Sequence, residues 1–333
     1  MRVSFQQLHD TLRRVLEARR MEPARADLCA RLFAEASRDG VYSHGLNRFP
    51  RFIRMIDLGV VDVAAEPSCV AAHRAIERWD GRRGPGNLNA YACMERAVAL
   101  AREYGIGCVA LANTNHWMRG GTYGWQAADA GAIGLCWTNT LPNLPPWGAA
   151  EPRVGNNPLS IAIPRAAGHI VLDIAMSQFS VGALSAYAAR GEALPVAGGY
   201  DEQGALSHYA AAIERSRRLL PIGFWKGSGL ALALDAVAAV LSGGRATVDI
   251  TPIPERESDL SQVFIAMDVA QMTDAAEVSS MLDAVVAFTQ QPSPESARVR
   301  YPGERTLETR RRNMDEGIPV DEEAWREVVA MGG

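Results

Sequence analysis

The chain has 333 residues, of which 48% are hydrophobic and 22% are charged, as in ordinary globular proteins. Its formal net charge of -4 provides no basic footprint, so we expect no nucleic-acid partner. The N-terminal segment lacks the apolar core of a signal peptide. The apolar stretch 229–241 contains Asp235 and is too short to span a bilayer. We therefore expect a cytoplasmic protein with no membrane partner, in which 229–241 forms a buried helix.

Cysteine and lysine usage are both informative. The five cysteines include no CxxC pair, which is typical of buried free thiols in a reducing compartment. Only one of the 34 basic residues is a lysine, Lys226. Because an ammonium is compact and a guanidinium is a wide planar fork, a tight site can require lysine and reject arginine. The alternative is that this lysine survived by chance.

The first seventy residues are predicted to be helical. Ser4 and Gln7 form a capping box ahead of the first helix. A second helix is predicted over 23–39, with Gly40 as its stop, and a third is predicted to begin near Ser43; the alternative is that Pro50 breaks it or starts a new segment.

From about residue 73 the pattern changes to a mixture of strands and helices, and the last thirty residues are again helical. Short apolar runs predict strands over 106–112, 132–138, 159–164, 170–175 and 262–268. Helices are predicted over 87–104, 119–130, 178–190 and 227–241. Since strands and helices do not alternate cleanly, a doubly wound parallel sheet is not indicated.

The familiar nucleotide and metal motifs are absent from the sequence. There is no GxGxxG turn after a strand, no Walker-type phosphate loop, no HExxH and no Cys/His cluster at zinc spacing. We therefore expect no metal site. Any dinucleotide would have to bind without the Rossmann fingerprint.

His44 and Arg48 are the first candidates for chemistry, within YSHGLNRFPRF at 42–52. They are four residues apart, so on a helix both would face the same way. A histidine can donate a proton near neutral pH, and an arginine can hold a carboxylate by two hydrogen bonds. Such a pair would suit reduction of a 2-oxo acid. The alternative is a solvated surface pair, which is common.

Three further segments place polar groups near strand ends or glycines. In 112–127, His116 follows a predicted strand and precedes two glycines, whose N–H groups would favour a phosphate; the alternative is a plain turn. Lys226 lies at the mouth of an apolar helix, where it would meet a pyrophosphate or a ribose. Asp173 lies near the end of an apolar strand, where a charge needs a partner. Ser177 is interpreted either as the cap of the next helix or as a cofactor contact.

Together these segments resemble the malate/L-lactate dehydrogenase family, which contains NAD(P)-dependent 2-oxo-acid reductases that lack a Rossmann fold. The resemblance extends from about Val3 to Val328. It is carried by SRDGVYSHGLNRFPRFI, NHWMRGGTYGWQAA, CWTNT, PPWGA, NPLSIAIP, MSQFSVG and PIGFWKGSG. Many members have a GYKGYGL-like segment. GFWKGSGL in its place is similar to the members that reduce a diketo sugar acid.

The resemblance implies a role for each matching position. His44 would be the proton donor, and Ser43, Arg48 and His116 would surround the substrate. Three segments would contact the cofactor: His169, Ile170, Val171, Leu172, Asp173, Ile174 and Ala175; Trp225 and Lys226; and Gly303, Glu304 and Arg305. The last segment aligns only partly, and the residues between Ile250 and Leu260 match poorly.

The resemblance also implies the fold, which is α/β of the α+β type. A non-Rossmann mixed sheet would hold the cofactor, and a second domain would be mainly helical. We expect the helical domain over 1–72, with the C-terminal helices 306–333 packed on it, and the mixed body over 73–305. Because the family forms homodimers, we expect a homodimer.

The expected cofactor is NAD, used as NADH, with NADPH as the alternative, and the expected partner is a small-molecule 2-oxo acid. One alternative function is the same chemistry on malate, lactate, ureidoglycolate or a cyclic imine. An alternative of another class is a non-catalytic binding protein for acidic sugars. The presence of both His44 and Arg48 argues against this last alternative, because binding alone needs no proton donor.

Overall fold

The structure is a computed structural model, and it describes residues 1–271, 273–292 and 298–332. The helices in these ranges are α1 Phe5–Ala18, α2 Pro23–Arg38, α3 Phe49–Asp57, α4 Gly86–Tyr104, α5 Gly121–Asp129, α6 Val181–Arg190, α7 Ala210–Ser216, α8 Trp225–Ser242, α9 Ala275–Thr289, α10 Glu304–Glu316 and α11 Glu322–Met331. The strands are β1 Arg2–Val3, β2 Ser68–His73, β3 Ile76–Asp80, β4 Ile106–Thr114, β5 Ala132–Thr138, β6 Leu159–Ile163, β7 Ile170–Ile174, β8 Gly199–Tyr200, β9 Leu206–Ser207, β10 Arg218–Leu219, β11 Leu260–Asp268 and β12 Ile318–Pro319.

The main sheet has the strand order β2-β3-β4-β11-β5-β6-β7 within the described part of the chain. Only the β3–β4 pair is parallel, and every other neighbouring pair is antiparallel. This mixed sheet confirms the predicted α/β, non-Rossmann fold class. It also confirms that the sheet is not doubly wound.

Both faces of the central strands are covered, because their side chains alternate between two apolar cores. On one face α4 packs against residues such as Phe264 and Tyr123. On the other face α8 contributes Leu234 to a core that contains Trp137. The sheet is therefore buried where its long apolar strands lie, and the predicted strands 106–112, 132–138 and 262–268 are confirmed.

A separate helical core contains residues from both ends of the chain. Leu12 of α1, Phe33 of α2 and Phe52 of α3 pack in the same cluster as Trp325 and Val328 of α11. The predicted capping box begins this layer, since the Ser4 hydroxyl accepts the N–H of Gln7 at 3.0 Å. Strands β1 and β12 pair beside it and join the two ends.

Three sequence predictions need correction. The hairpin of β2 and β3 was not predicted; its two strands are short and mostly exposed. The cysteines are buried as expected except for Cys69, which is exposed on β2. Helix α8 buries one face through Ala231, Leu234 and Ala238, whereas Leu232 and others on it are exposed. The prediction of a fully buried helix was therefore wrong.

Helix α8 is also long and apolar enough to cross a membrane, judged by length and composition alone. In the ranges that the structure describes, it is the one helix that meets both criteria. This is weak evidence, because core helices of soluble proteins pass the same test.

Candidate active site

The segment that carries His44 and Arg48 is a pair of single 3₁₀ turns, Tyr42–His44 and Leu46–Arg48. Gly45 separates them with φ -103° and ψ -126°, outside the helical region. A Cβ on this glycine would lie 2.1 Å from Ser37 Oγ of α2, so no other residue fits without displacing α2. Because of this non-helical backbone at Gly45, the start near Ser43 was wrong, and the alternative of a new segment at Pro50 is the one that the structure shows. The regular helix α3 begins at Phe49.

His44 is placed beside the second predicted histidine. The rings of His44 and His116 stack with centroids 5.8 Å apart and planes inclined by 21°. Ser43 Oγ lies 3.1 Å from His44 Nδ1. His116 follows strand β4, and its Nδ1 accepts the N–H of Met118 at 3.0 Å. Because Nδ1 of His116 is an acceptor, the neutral ring carries its proton on Nε2.

Both imidazoles are neutral at neutral pH. Burial lowers the pKa of His44 to about 4, and the positive charges of Arg48 and Arg119 add to the effect. Burial and the charge of Arg48 hold the pKa of His116 well below its usual range. The positive charge of Arg48 thus lowers the pKa of both histidines. The three side chains therefore interact electrostatically, although they do not share a regular helix.

Arg48 belongs to a partly compensated cluster with Arg51 and Glu257. Its Nη2 lies 3.5 Å from Glu257 Oε2, and Arg51 Nη2 lies 3.8 Å from the same oxygen. Burial lowers the pKa of Arg48 to about 10, and Arg51 contributes, whereas Glu257 opposes the shift. Arg48 is therefore still charged at neutral pH. We name His44, His116, Arg48, Arg51 and Glu257 the imidazole–guanidinium cluster.

A cavity of about 260 Å³ lies against strand β7. Its lining includes four of the predicted cofactor residues, Val171, Leu172, Asp173 and Gly303. The other lining residues are Val41, Arg119, Trp125, Pro302 and Thr306. Gly303 has φ +98°, and a Cβ there would come within 3.0 Å of His169 O. Glycine is thus needed for the turn before α10 to approach β7. Two of the three predicted cofactor segments therefore meet here.

The cavity wall is fixed by a buried ion network around Asp39 of α2. Arg119 Nη1 lies 2.6 Å from Asp39 Oδ2, and Arg310 donates two hydrogen bonds of 2.8 Å to the carboxylate. Arg38 adds a third partner. Burial alone would raise the pKa of Asp39, but these three guanidinium groups hold it well below its usual range. We name these four residues the Asp39 network.

Asp173 connects this network to the cavity. Its Oδ2 lies 3.9 Å from Arg119 Nε, and its side chain keeps 29% of its surface exposed because it faces the cavity. Burial among surrounding protein raises the pKa of Asp173, opposed by Arg119 and the N–H of Gly121. The expectation that this carboxylate needs a partner is met by Arg119.

A family model described as malate/L-lactate dehydrogenase matches residues 3–329. The chain belongs to this family. It is therefore an oxidoreductase acting between hydroxy and oxo groups. The 2,3-diketo-L-gulonate reductases of Citrobacter koseri and Klebsiella pneumoniae are each 44% identical to it over 333 residues, with 99% of this chain and 100% of each relative covered.

Solved structures of other family members share the fold of this dehydrogenase. Sulfolactate dehydrogenase from Methanocaldococcus jannaschii has a TM-score of 0.91 at 26% identity, covering 99% of this chain and 96% of that chain. The Δ1-piperideine-2-carboxylate reductase from Pseudomonas syringae has a TM-score of 0.87 at 28% identity, covering 99% of both chains.

The remaining predicted cofactor segment of this dehydrogenase, Trp225 and Lys226, lies away from the cavity. Trp225 and Lys226 begin α8 and are exposed, and neither lines the cavity against β7. The chain after β7 runs towards them, since Ile222 N–H donates to Met176 O at 2.9 Å. Phe224, just before α8, has φ +59°, a strained conformation for an aromatic residue that often marks a functional site.

The remaining predicted cofactor residues flank the cavity without lining it. Ile170 and Ile174 lie in β7, and Ala175 follows that strand. His169 Nδ1 accepts the N–H of Arg165 at 3.0 Å. In α10, Glu304 pairs with Arg298, and Arg305 is exposed.

Ser177 does not cap the next helix. Its hydroxyl donates to Phe179 O at 2.8 Å, and Ser180 is the residue that caps α6. The predicted cap was wrong because the chain makes one more turn before α6 begins.

Sequence reasoning missed Glu257 and Asp39, the two buried carboxylates that organise the site. Glu257 lies in the segment that resembles the family poorly, only two residues after Glu255, which is exposed. Nothing local distinguishes the two carboxylates. Asp39 could have been noticed from the sequence. It is an acidic residue between Arg38 and Gly40, directly before the segment that contains the candidate histidine.

Proposed function

We propose that this dehydrogenase uses NADH to reduce 2,3-diketo-L-gulonate to 3-dehydro-L-gulonate, with NADPH as the alternative cofactor. The observation that carries the proposal is the stacked pair of His44 and His116 beside the charged Arg48. The full-length similarity to 2,3-diketo-L-gulonate reductases supports this choice of substrate over malate, lactate or a cyclic imine.

The cavity against β7 fits part of a nicotinamide cofactor. Arg119 Nε and Trp125 Nε1 are buried without a hydrogen-bond acceptor among the residues that the structure describes. Buried donors without partners are costly, so they favour a polar ligand in the cavity that both residues line. The volume of about 260 Å³ suits one ring with its ribose rather than a whole dinucleotide. We assign Val171, Leu172, Asp173 and Gly303 to this part of the cofactor.

The remaining cofactor positions would lie outside this cavity. Lys226 would meet a phosphate there as a point charge, and Trp225 offers an exposed aromatic face. Two regions would then contact the cofactor: the cavity against β7, and the surface around Trp225 and Lys226. The other predicted cofactor positions would support these regions; they are His169, Ile170, Ile174, Ala175, Glu304 and Arg305. When bound, the cofactor supplies the hydride that reduces the 2-oxo group.

Arg48 would hold the substrate carboxylate, and Ser43 and His116 would contact the same substrate. The guanidinium has five N–H donors, and among the residues that the structure describes it makes one long hydrogen bond, to Glu257, so donors remain for a carboxylate. A bound carboxylate also cancels part of the positive charge that lowers the pKa of His44. Substrate binding would thereby raise the pKa of His44 and load it with the proton that the developing alkoxide needs.

The test is the variant His44→Ala, assayed by nicotinamide absorbance with a panel of 2-oxo acids and both cofactors. General acid catalysis contributes about 10²–10⁴-fold, so kcat should fall by about that factor. Cofactor affinity should change little, because His44 does not line the cavity against β7. Unchanged turnover would remove His44 from the mechanism, and a better substrate in the panel would replace diketogulonate.

We also propose that the enzyme is a cytoplasmic homodimer, with a helical domain over 1–72 plus 306–333 and a mixed body over 73–305. Exposed apolar side chains support an oligomer, since Leu232 is 59% and Val240 is 80% exposed on α8. Light scattering after gel filtration should give twice the mass of the chain. A monomeric mass at micromolar concentration would contradict the dimer.

A further inference from the structure

Glu257 is the one buried carboxylate in contact with the two guanidinium groups of the imidazole–guanidinium cluster, as far as the described ranges extend. It is 3% exposed and also accepts the N–H of Leu141 at 3.4 Å. Its contacts with Arg48 and Arg51 are 3.5 and 3.8 Å, longer than the 2.7–2.9 Å or so of a well-made ion pair. Glu257 therefore supplies negative charge while engaging Arg48 through a single long hydrogen bond, so most donors of Arg48 stay free.

The charges at this site sum to a small positive value at neutral pH. Arg48 and Arg51 contribute two positive charges, and Glu257 contributes one negative charge. His44 and His116 are neutral because their pKa values are lowered. The nearby guanidinium of Arg119 belongs to the Asp39 network, where it lies 2.6 Å from Asp39, and is counted outside this cluster.

We propose that Glu257 is a specificity-determining residue that sets the net charge of the imidazole–guanidinium cluster at +1 and thereby selects monoanionic over dianionic 2-oxo acids. The inference rests on the proposed function, which places the substrate carboxylate at Arg48. A monoanion neutralises the site. A dianion would leave one uncompensated negative charge in a largely desolvated site beside Glu257, which is costly. Selectivity of this kind comes from repulsion of the wrong substrate as well as attraction of the right one.

Glu257 would act through the field at the site and through the two arginines, without touching the reacting atoms. Its effect should therefore appear as a change in the ratio of two substrates, and not mainly as a loss of turnover. Ground-state binding of the two acids should change in the same direction as kcat/KM.

The experiment compares 2-oxopentanoate, a monoanion, with 2-oxoglutarate, a dianion with the same five-carbon backbone. For wild type and Glu257→Gln, kcat/KM is measured with NADH for both acids on one enzyme preparation. Glu257→Gln keeps the shape and removes the charge. We expect the ratio of the two kcat/KM values to shift towards 2-oxoglutarate by at least about tenfold. Partial unfolding lowers both rates equally and leaves the ratio unchanged.

Two matched variants control for side effects. Glu255→Gln removes an exposed carboxylate two residues earlier that also acts on Arg48, and because solvent screens it, the ratio should shift much less than in Glu257→Gln. Glu257→Asp keeps the charge and should retain the wild-type preference even if it lowers the rates. An unchanged ratio in Glu257→Gln, or an equal shift in Glu255→Gln, would overturn the role of Glu257.

The same acids are also compared as thermal stabilisers of wild type and Glu257→Gln. If wild type turns over neither acid but Glu257→Gln still shifts the stabilisation towards 2-oxoglutarate, the proposed function fails and the charge selection stands. If turnover is present and neither readout shifts in Glu257→Gln, the charge selection fails and the proposed function stands.

Discussion

The imidazole–guanidinium cluster and the Asp39 network each place arginines around one buried carboxylate, but the arginines are compensated differently. In the Asp39 network one carboxylate receives hydrogen bonds of 2.6–2.8 Å from Arg119, Arg310 and Arg38. In the imidazole–guanidinium cluster two arginines share one carboxylate at 3.5 Å or more. Short hydrogen bonds to a shared carboxylate hold elements together, whereas long contacts leave donors free to bind a ligand. The first arrangement is chiefly a scaffold, from which Arg119 Nε alone was assigned to a ligand above, and the second is a binding site.

The largest effect that follows from this difference concerns Asp39→Asn. Removing the charge leaves the buried Arg119 with only the more distant Asp173 at 3.9 Å as an acidic neighbour in the described part of the chain, and breaking a buried pair typically costs about 3–5 kcal/mol. We expect the free energy of unfolding in urea to fall by about that amount. Glu255→Gln, which removes an exposed carboxylate, should cost less than about 0.5 kcal/mol. A fall in turnover with no loss of stability would contradict the scaffold interpretation.

The next prediction concerns the pH dependence of the reaction rate, which should follow a group of the imidazole–guanidinium cluster and not the Asp39 network. Reduction needs protonated His44, whose pKa in the free enzyme is lowered to about 4, so kcat/KM for reduction should fall as pH rises above that value. The decline should be about tenfold per pH unit for one group. The profile of kcat should turn at a higher pH, since a bound carboxylate raises the pKa of His44. Oxidation of the hydroxy acid, which needs the neutral ring, should be flat above about pH 5.

Two results would count against this assignment. A reduction profile that is flat from pH 5 to pH 8 would show that the proton does not come from a group with so low a pKa. The same slope in His44→Ala would show that another group supplies it. Either result would also weaken the contrast between the two regions, because the imidazole–guanidinium cluster would then not be the reactive one.

The smallest effect concerns Lys226→Arg, outside both regions. If a compact ammonium is required at the start of α8, the wider guanidinium should weaken NADH binding, by about threefold to tenfold. The measurement is the Kd for NADH from quenching of protein fluorescence. The exposed Arg305→Lys serves as the reverse swap in another predicted cofactor segment. Wild-type affinity in Lys226→Arg would show that the lone lysine is incidental.

Much of the fold was predictable because apolar periodicity and caps are local signals. The capping box of Ser4 and the strands on either side of β11 follow from a few neighbouring residues. The turn at Gly45 was not predictable, because the contact that excludes a helix comes from Ser37 of a preceding helix. Similarly, the exposure of Leu232 on α8 depends on what packs against that helix, and an apolar run alone does not determine it.

The candidate site was predictable where one segment contains the chemistry, and not where it depends on a distant partner. The segment with His44 and Arg48 stands out in the sequence. Glu257 does not, because its importance comes from contact with an arginine more than 200 positions earlier. In a chain where almost every cation is an arginine, sequence alone does not show which carboxylate meets which guanidinium.

The close approach of Gly45 to Ser37 has a consequence for evolution and engineering. The Ser37 hydroxyl also accepts the N–H of Leu46 at 2.9 Å, so the segment with His44 is fastened to α2 directly after the glycine. A shift of α2 in the helical layer would therefore carry the imidazole with it, and a displacement of about 1 Å can cost a hundredfold in rate. Substitutions at Phe33 or Leu12, which lie in the helical layer and not at the site, would then change the rate of the reaction.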